Sequence, residues 1–135
     1  EMLKVKEGDI LISRSGTIGK VTYATKNLAE NYIVSDDLVR IRVKDDNLRA
    51  YLLAYFTSST ALSLMLLDEY GSVQQHLQPR HIQEMLIPVP DDWSQAKDMI
   101  DAGKTFMKAM EDMAEADQKI RTKGFDVLMK IQNIE

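Results

Sequence analysis

No cysteine occurs in the 135 residues, which removes disulfides, thiolate-bound structural zinc and cysteine nucleophiles together and suits a reducing compartment. Proline is nearly as scarce: Pro79, Pro88 and Pro90 are all of it, so nothing from Ser94 to Glu135 interrupts a helix. Long apolar runs are missing too. The stretch from Tyr51 to Leu67 falls short of the roughly 18 residues a membrane span needs and is broken by Thr57-Ser-Ser-Thr60. The N-terminus lacks the basic patch, apolar run and small-residue cleavage site of a signal peptide. The reading is a soluble, cytoplasmic chain with no membrane role. Opening on Glu1 rather than methionine and entering a strand-like run at once, it reads as a piece of a longer protein.

Excess positive charge is also absent. The net charge is −4, which argues against a polybasic nucleic-acid binder, since phosphate contact needs concentrated Lys and Arg. The charge is uneven: residues 1 to 50 carry nine basic and eight acidic side chains, residues 51 to 90 one and three, and residues 91 to 135 seven and ten. Acidity therefore gathers at the C-terminal end, and the first third keeps room for a local basic face. The length suits one globular unit with a helical extension.

What is present is a set of short periodic segments. Ile10-Leu-Ile12 and Ile18 to Ala24 read as strands joined by the small-residue cluster Ser13-Arg-Ser-Gly-Thr17. A third strand is expected at Asp37 to Val43, where Leu38, Arg40 and Arg42 alternate with Val39, Ile41 and Val43. Asp45-Asp-Asn47 has the chemistry of a helix cap. Leu48 to Phe56 and Thr60 to Tyr70 place apolar residues three and four apart, which predicts two consecutive helices. The serine and threonine cluster between them supplies the second cap, and Gly71 is the expected stop. Pro79 to Met85 reads as a short helix, and Leu86-Ile-Pro-Val-Pro90 as an extended edge element.

From Ser94 onward, steps of four and three from Met99 give Met99, Gly103, Phe106, Met110, Met113, Asp117, Ile120, Gly124, Val127, Ile131 and Ile134. Eight of these eleven are apolar, the seam of a coiled coil. Outward pairs Glu115/Lys119, Asp117/Arg121 and Asp126/Lys130 sit four apart with the acid first, the favourable order. The helix would reach about 60 Å, so its seam asks for a partner helix. Gly103 is a place for close helix approach and Gly124 a place for a break.

Gly16-Thr-Ile-Gly19-Lys20 is not a phosphate loop: Arg14 stands where the first glycine belongs, and Val21 where a magnesium-binding hydroxyl belongs. Lying between strands, it is not a KH-type clamp either. Two readings remain, a glycine-shaped turn or a loop that brings backbone NH groups with Arg14, Ser15 and Lys20 to a DNA phosphate. Gln74, Gln75, His76, Gln78, Arg80, His81 and Gln83 form a second polar concentration. Glutamine and arginine read base edges bidentately, while a plain polar loop looks the same in sequence. His76 and His81 are five apart and do not share a helix face for a metal. No metal or cofactor is expected. There is no nucleophile elbow, and Pro90-Asp91 with Gln95-Ala-Lys97 lacks the second carboxylate of a PD-(D/E)xK nuclease. No catalysis is expected in this chain. Met99, Met110 and Met113 fall on the seam, so packing explains them better than an adaptable binding surface.

Two segments carry a resemblance. Gly8-Asp-Ile-Leu-Ile-Ser-Arg-Ser-Gly-Thr-Ile-Gly-Lys-Val21 resembles the "GDILIsrsGtiGkv" stretch of the specificity subunits of type I restriction-modification systems. Gly71-Ser-Val-Gln-Gln-His-Leu-Gln-Pro-Arg-His-Ile-Gln-Glu-Met-Leu-Ile-Pro-Val-Pro90 resembles the family's "Gstq..i.p..l..i.iPvP" stretch, with the long helix behind it as in the family. The resemblance implies an α+β fold: a small sheet with short packed helices, the C-terminal portion of a target-recognition domain over residues 1–92, followed by a long coiled-coil-type spacer helix over residues 93–135. It implies a non-catalytic DNA-recognition module whose partners are double-stranded DNA, an adenine-N6 methyltransferase subunit and a second spacer helix. A recognition domain fused to such a methyltransferase fits as well. The residues this assigns to DNA are Arg14, Ser15, Thr17, Lys20, Gln74, Gln75, His76, Gln78 and Arg80. The helix interface would be Met99, Phe106, Met110, Met113, Ile120, Val127, Ile131 and Ile134. One departure stands out: the family opens the helix with a Pro-Leu-x-Glu-Gln type sequence, and here Asp91-Asp-Trp-Ser-Gln95 replaces it. The competing reading is a coiled-coil dimerisation or protein-interaction module with no DNA role, which the negative charge favours.

Overall fold

In the computed structural model the described residues are 4–67 and 71–132. The fold is α+β. Strand β1 (Ile10–Ser13) lies between β2 (Val21–Tyr23) and β3 (Leu38–Ile41), antiparallel to both. Its apolar run is continuous because it is buried on both faces: Ile10 and Ile12 join the main core, and Leu11 is buried on the opposite side. The edge strand β3 alternates as expected, with Val39 buried and Arg40 exposed.

Helix α1 (Lys26–Asn31) is short and was not visible as a periodic segment. Thr25 starts it by accepting a hydrogen bond from the Leu28 amide at 3.2 Å. Asp45 caps α2 (Asp46–Thr57), accepting from the Leu48 amide at 2.7 Å. Ser58 ends that helix and caps α3 (Ser59–Leu66) through the Ala61 amide. Helix α4 (Pro79–Gln83) follows, then a single 3₁₀ turn (Trp93–Ala96) that runs into α5 (Lys97–Lys119). A π turn (Ile120–Gly124) joins α5 to α6 (Phe125–Ile131). The pairs Glu115–Lys119 at 3.0 Å and Asp117–Arg121 at 2.8 Å line its exposed face.

Among the differences from the sequence reading, three have a local reason. The second strand starts at Val21 and not Ile18, because Gly16 and Gly19 both take positive φ and carry the chain through a tight turn. Helix α3 stops at Leu66, before Gly71, because Leu67 turns extended and pairs with Val73; the predicted end at Tyr70 lies outside the described residues. Leu86 to Pro90 is not a strand. Pro88 and Pro90 have no N–H to give a ladder, and the Pro88 carbonyl instead accepts the Tyr51 hydroxyl.

The core lies between the sheet and α2, with α5 closing the far side. Leu53, Phe56, Met65 and Leu77 are almost wholly buried there with Ile10 and Ile12. Tyr51 meets Trp93 edge to face at 5.6 Å, so the turn that opens the long helix is pinned to α2. Asp92 caps that turn through the Ser94 amide at 2.9 Å, which gives the departure at Asp91 to Gln95 a physical role. The closest approach is backbone to backbone: a Cβ on Gly103 would sit 1.9 Å from the Ala50 carbonyl oxygen. The seam is therefore divided. Met99 and Phe106 pack into the chain's own core, whereas Met113, Ile120, Val127 and Ile131 stay exposed. Ile134 lies outside the described residues.

One buried charge holds the sheet's base. The Asp9 carboxylate receives Arg42 Nε and NH2, each at 2.8 Å, and the Lys6 amide at 2.8 Å. Burial alone pushes the Asp9 carboxyl up, but the Arg42 hydrogen bond, the Lys6 amide and the charges of Arg42 and Arg40 together hold it below the ordinary aspartate value.

Gly103→Ala should cost about 3 kcal/mol by overpacking, whereas Gly124→Ala, whose Cβ meets only Ile120 Cγ2 at 3.9 Å, should gain about 0.5–1 kcal/mol from helix propensity. Thermal melts of the two variants check the contrast. Because the folded-state pKa of Asp9 is depressed, its contribution is complete above the unfolded value and is lost as pH falls through the folded one. Asp9→Asn should cost about 2 kcal/mol near neutral pH, less than a fully buried pair because Arg42 keeps water contact. Urea titrations across the acid range should then show a shallower acid decline in Asp9→Asn than in the parent chain.

Candidate nucleic-acid interface

The loop between β1 and β2 is built from small residues that bond to their own backbone. Ser13 accepts the Lys20 amide on its hydroxyl at 2.9 Å and donates to the Thr17 carbonyl. The Ser13 carbonyl takes the Gly19 amide at 3.0 Å. Gly19 packs so closely on α3 that a Cβ there would meet Leu62 at 2.8 Å, while a Cβ on Gly16 would meet nothing. The loop thus has an anchored base at Gly19 and an open tip at Gly16 and Thr17. Lys20 is exposed beside that tip, and Ser15 is half-buried, donating its hydroxyl to the Asp37 carboxylate.

The second loop, residues 73–78, is fastened at both ends. Gln74 gives its backbone amide to the Leu66 carbonyl at 2.9 Å and its side-chain amide to the Met65 carbonyl. Three residues on, Leu77 is fully buried in the core. Gln75 and His76, between these anchors, are exposed, as is Arg80 in α4. His81 is occupied locally: its Nδ1 accepts the Gln78 amide at 2.8 Å and caps α4.

Arg14 brings the two loops together. Its Nε donates to the Leu77 carbonyl, NH2 to Gln78 Oε1 and NH1 to the Asp36 carbonyl, each at 3.0 Å. Its main chain adds the Asp37 carbonyl at 3.2 Å and the Leu77 amide at 2.8 Å. Among the described residues the side-chain acceptors are the Leu77 and Asp36 carbonyls and the Gln78 amide oxygen, all neutral.

The residues read from sequence as DNA-facing therefore divide. Thr17, Lys20, Gln75, His76 and Arg80 are exposed; Arg14, Ser15, Gln74 and Gln78 are partly buried and hold the loops. Sequence reasoning listed Arg14 as a DNA contact and missed its cross-loop bonds, because a partner 63 residues away leaves no local trace. The surface offers amide and imidazole groups for base edges, few cations for phosphates, and no group of three or more metal-ligating side chains among the described residues. No helix among them is long and apolar enough to cross a membrane.

A groove of about 390 Å³ is lined by residues of β2, α1 and α5. Tyr23, Leu28, Tyr32, Met110 and Met113 line it, with Asp117 and Arg121 at its polar end. Met110 is half-buried there; the exposed part of the seam starts at Met113.

A family model, the type I restriction modification DNA specificity domain, matches residues 2–120. No curated protein and no solved structure matches the chain.

Proposed function

The chain belongs to the type I restriction modification DNA specificity domain family, and on that premise we propose that it recognises part of a DNA target through the paired loops and directs an adenine-N6 methyltransferase partner to it. The observation that carries this reading is the union of two polar segments, some sixty residues apart in sequence, into one surface by the bonds of Arg14. Thr17, Lys20, Gln75, His76 and Arg80 are the side chains this surface displays. Glutamine at 75 suits an adenine edge, accepting and donating in one plane, while Lys20 suits a phosphate. Specificity on this reading comes from few contacts, and the module itself is non-catalytic.

Residues 1–92 form the recognition unit of this proposal and residues 93–135 the spacer, rooted in the head by Ile100 and Gly103. The exposed apolar residues Met113, Ile120, Val127 and Ile131 are the part that takes a second spacer helix, and the methyltransferase docks along the same helix. A pure interaction module is the second reading, favoured by the net charge of −4 and these exposed apolar residues.

Binding to a randomised duplex library, repeated over a salt series, tests the DNA role. The chain should enrich a sequence, and its affinity should fall with salt. Lys20→Gln should weaken binding to all duplexes alike and reduce the salt slope by about 0.9. Gln75→Ala should instead cost about 1–3 kcal/mol of discrimination at one base pair. Salt-insensitive binding, or no enrichment, sinks the reading and leaves the interaction module.

For the helix, Ile120→Asp combined with Val127→Asp should abolish pairing in sedimentation while the melting temperature of the head stays put. Phe106→Asp should lower that temperature, since Phe106 packs in the core. Pairing that survives the double substitution places the interface elsewhere.

A further inference from the structure

We propose that Arg14 is a positioning residue, a latch that fixes the distance between the two loops, and not a DNA contact itself; this rests on the DNA reading above and names what holds its surface. All three guanidinium nitrogens are taken up by protein acceptors, the Leu77 and Asp36 carbonyls and Gln78 Oε1. The residue's own amide and carbonyl are spent on Asp37 and Leu77. Arg14 thus ties three segments at once: the end of β1, the approach to β3, and the approach to α4.

The latch is seated on something rigid. Leu77, which bonds Arg14 through both its amide and its carbonyl, has its side chain fully buried in the core. On either side of the latch the chain is exposed, at Gly16 and Thr17 in one loop and at Gln75 and His76 in the other. A side chain that reads a base edge must be held within about 0.5 Å of its working place. The planar fork of arginine meets three acceptors in different directions; the single ammonium of lysine does not reproduce that fork, though it keeps the charge. Charge and latch can therefore be separated.

The experiment compares Arg14→Lys and Arg14→Gln with Lys20→Gln in the full chain. Each is titrated against the enriched duplex and a scrambled duplex over a salt series, and amide hydrogen exchange is recorded without DNA. Both Arg14 variants should lose about tenfold in affinity for the enriched duplex, corresponding to about 1.4 kcal/mol. Their affinity for the scrambled duplex and their salt slope should match the parent chain, and the Leu77 and Gln78 amides should exchange faster. Restoration of parent affinity by lysine, or a slope reduced by about 0.9 in Arg14→Gln, makes Arg14 a direct phosphate contact and overturns the latch. Binding unchanged in both variants overturns it too. If the parent chain enriches no duplex, the DNA reading fails separately, and exchange still decides: unchanged protection at Leu77 and Gln78 rejects the latch. Circular dichroism guards against misfolding. Should Arg14→Gln not fold, Gln78→Ala, which removes one of the three side-chain bonds, supplies the same exchange comparison.

Discussion

The backbone contact between α2 and α5 is the constraint on which the rest of the molecule depends. At Gly103 the long helix comes so near the Ala50 carbonyl that no side chain fits between them. This closeness brings Ile100 into the core and lets Met99 and Phe106 complete it. It also fixes where the helix leaves the head. Without that anchorage, a helix beginning after a proline-containing coil would have no defined direction, and its exposed end would have no fixed relation to the loops.

The loop surface is held by a different kind of interaction. Side-chain hydrogen bonds to backbone carbonyls fasten and join the two loops, while the close packing of Gly19 on α3 and the buried Leu77 side chain seat their bases. Such bonds are directional and depend on distance, so they place polar side chains more narrowly than the shallow packing of a surface loop does. The half-buried Asp9–Arg42 pair makes a directional link at the opposite end of β1, joining the strand to the segment that follows β3.

Much of the fold was legible in the sequence because its signals are local. Alternation within Asp37 to Val43 marked a strand with one polar face, Asp45 and the serine cluster marked helix starts, and the spacing after Ser94 marked the long helix. What escaped was either too short or too distant. Helix α1 is six residues long with little apolar periodicity, and only Thr25 announces it. The seam from Met99 to Met110 looked like an invitation to another chain because periodicity reports that a face is buried, not what buries it. The residues of the candidate surface were legible as chemical types, but their division into displayed and structural groups was not. That division is made by partners such as Arg14 and Leu77, far apart in the chain.

The π turn at Ile120–Gly124 gives the end of the helix a separate phase. A turn with i→i+5 bonding takes in one residue more than its α-helical neighbours, and each residue of a regular helix accounts for about 100° of rotation. The azimuth of Val127, Leu128 and Ile131 is thus offset from the line that Met113 alone would project. Arg121, Thr122 and Lys123 in the turn are exposed. A one-residue deletion within Ile120–Gly124 that restored α-helical bonding would therefore turn α6 to a different azimuth about the helix axis.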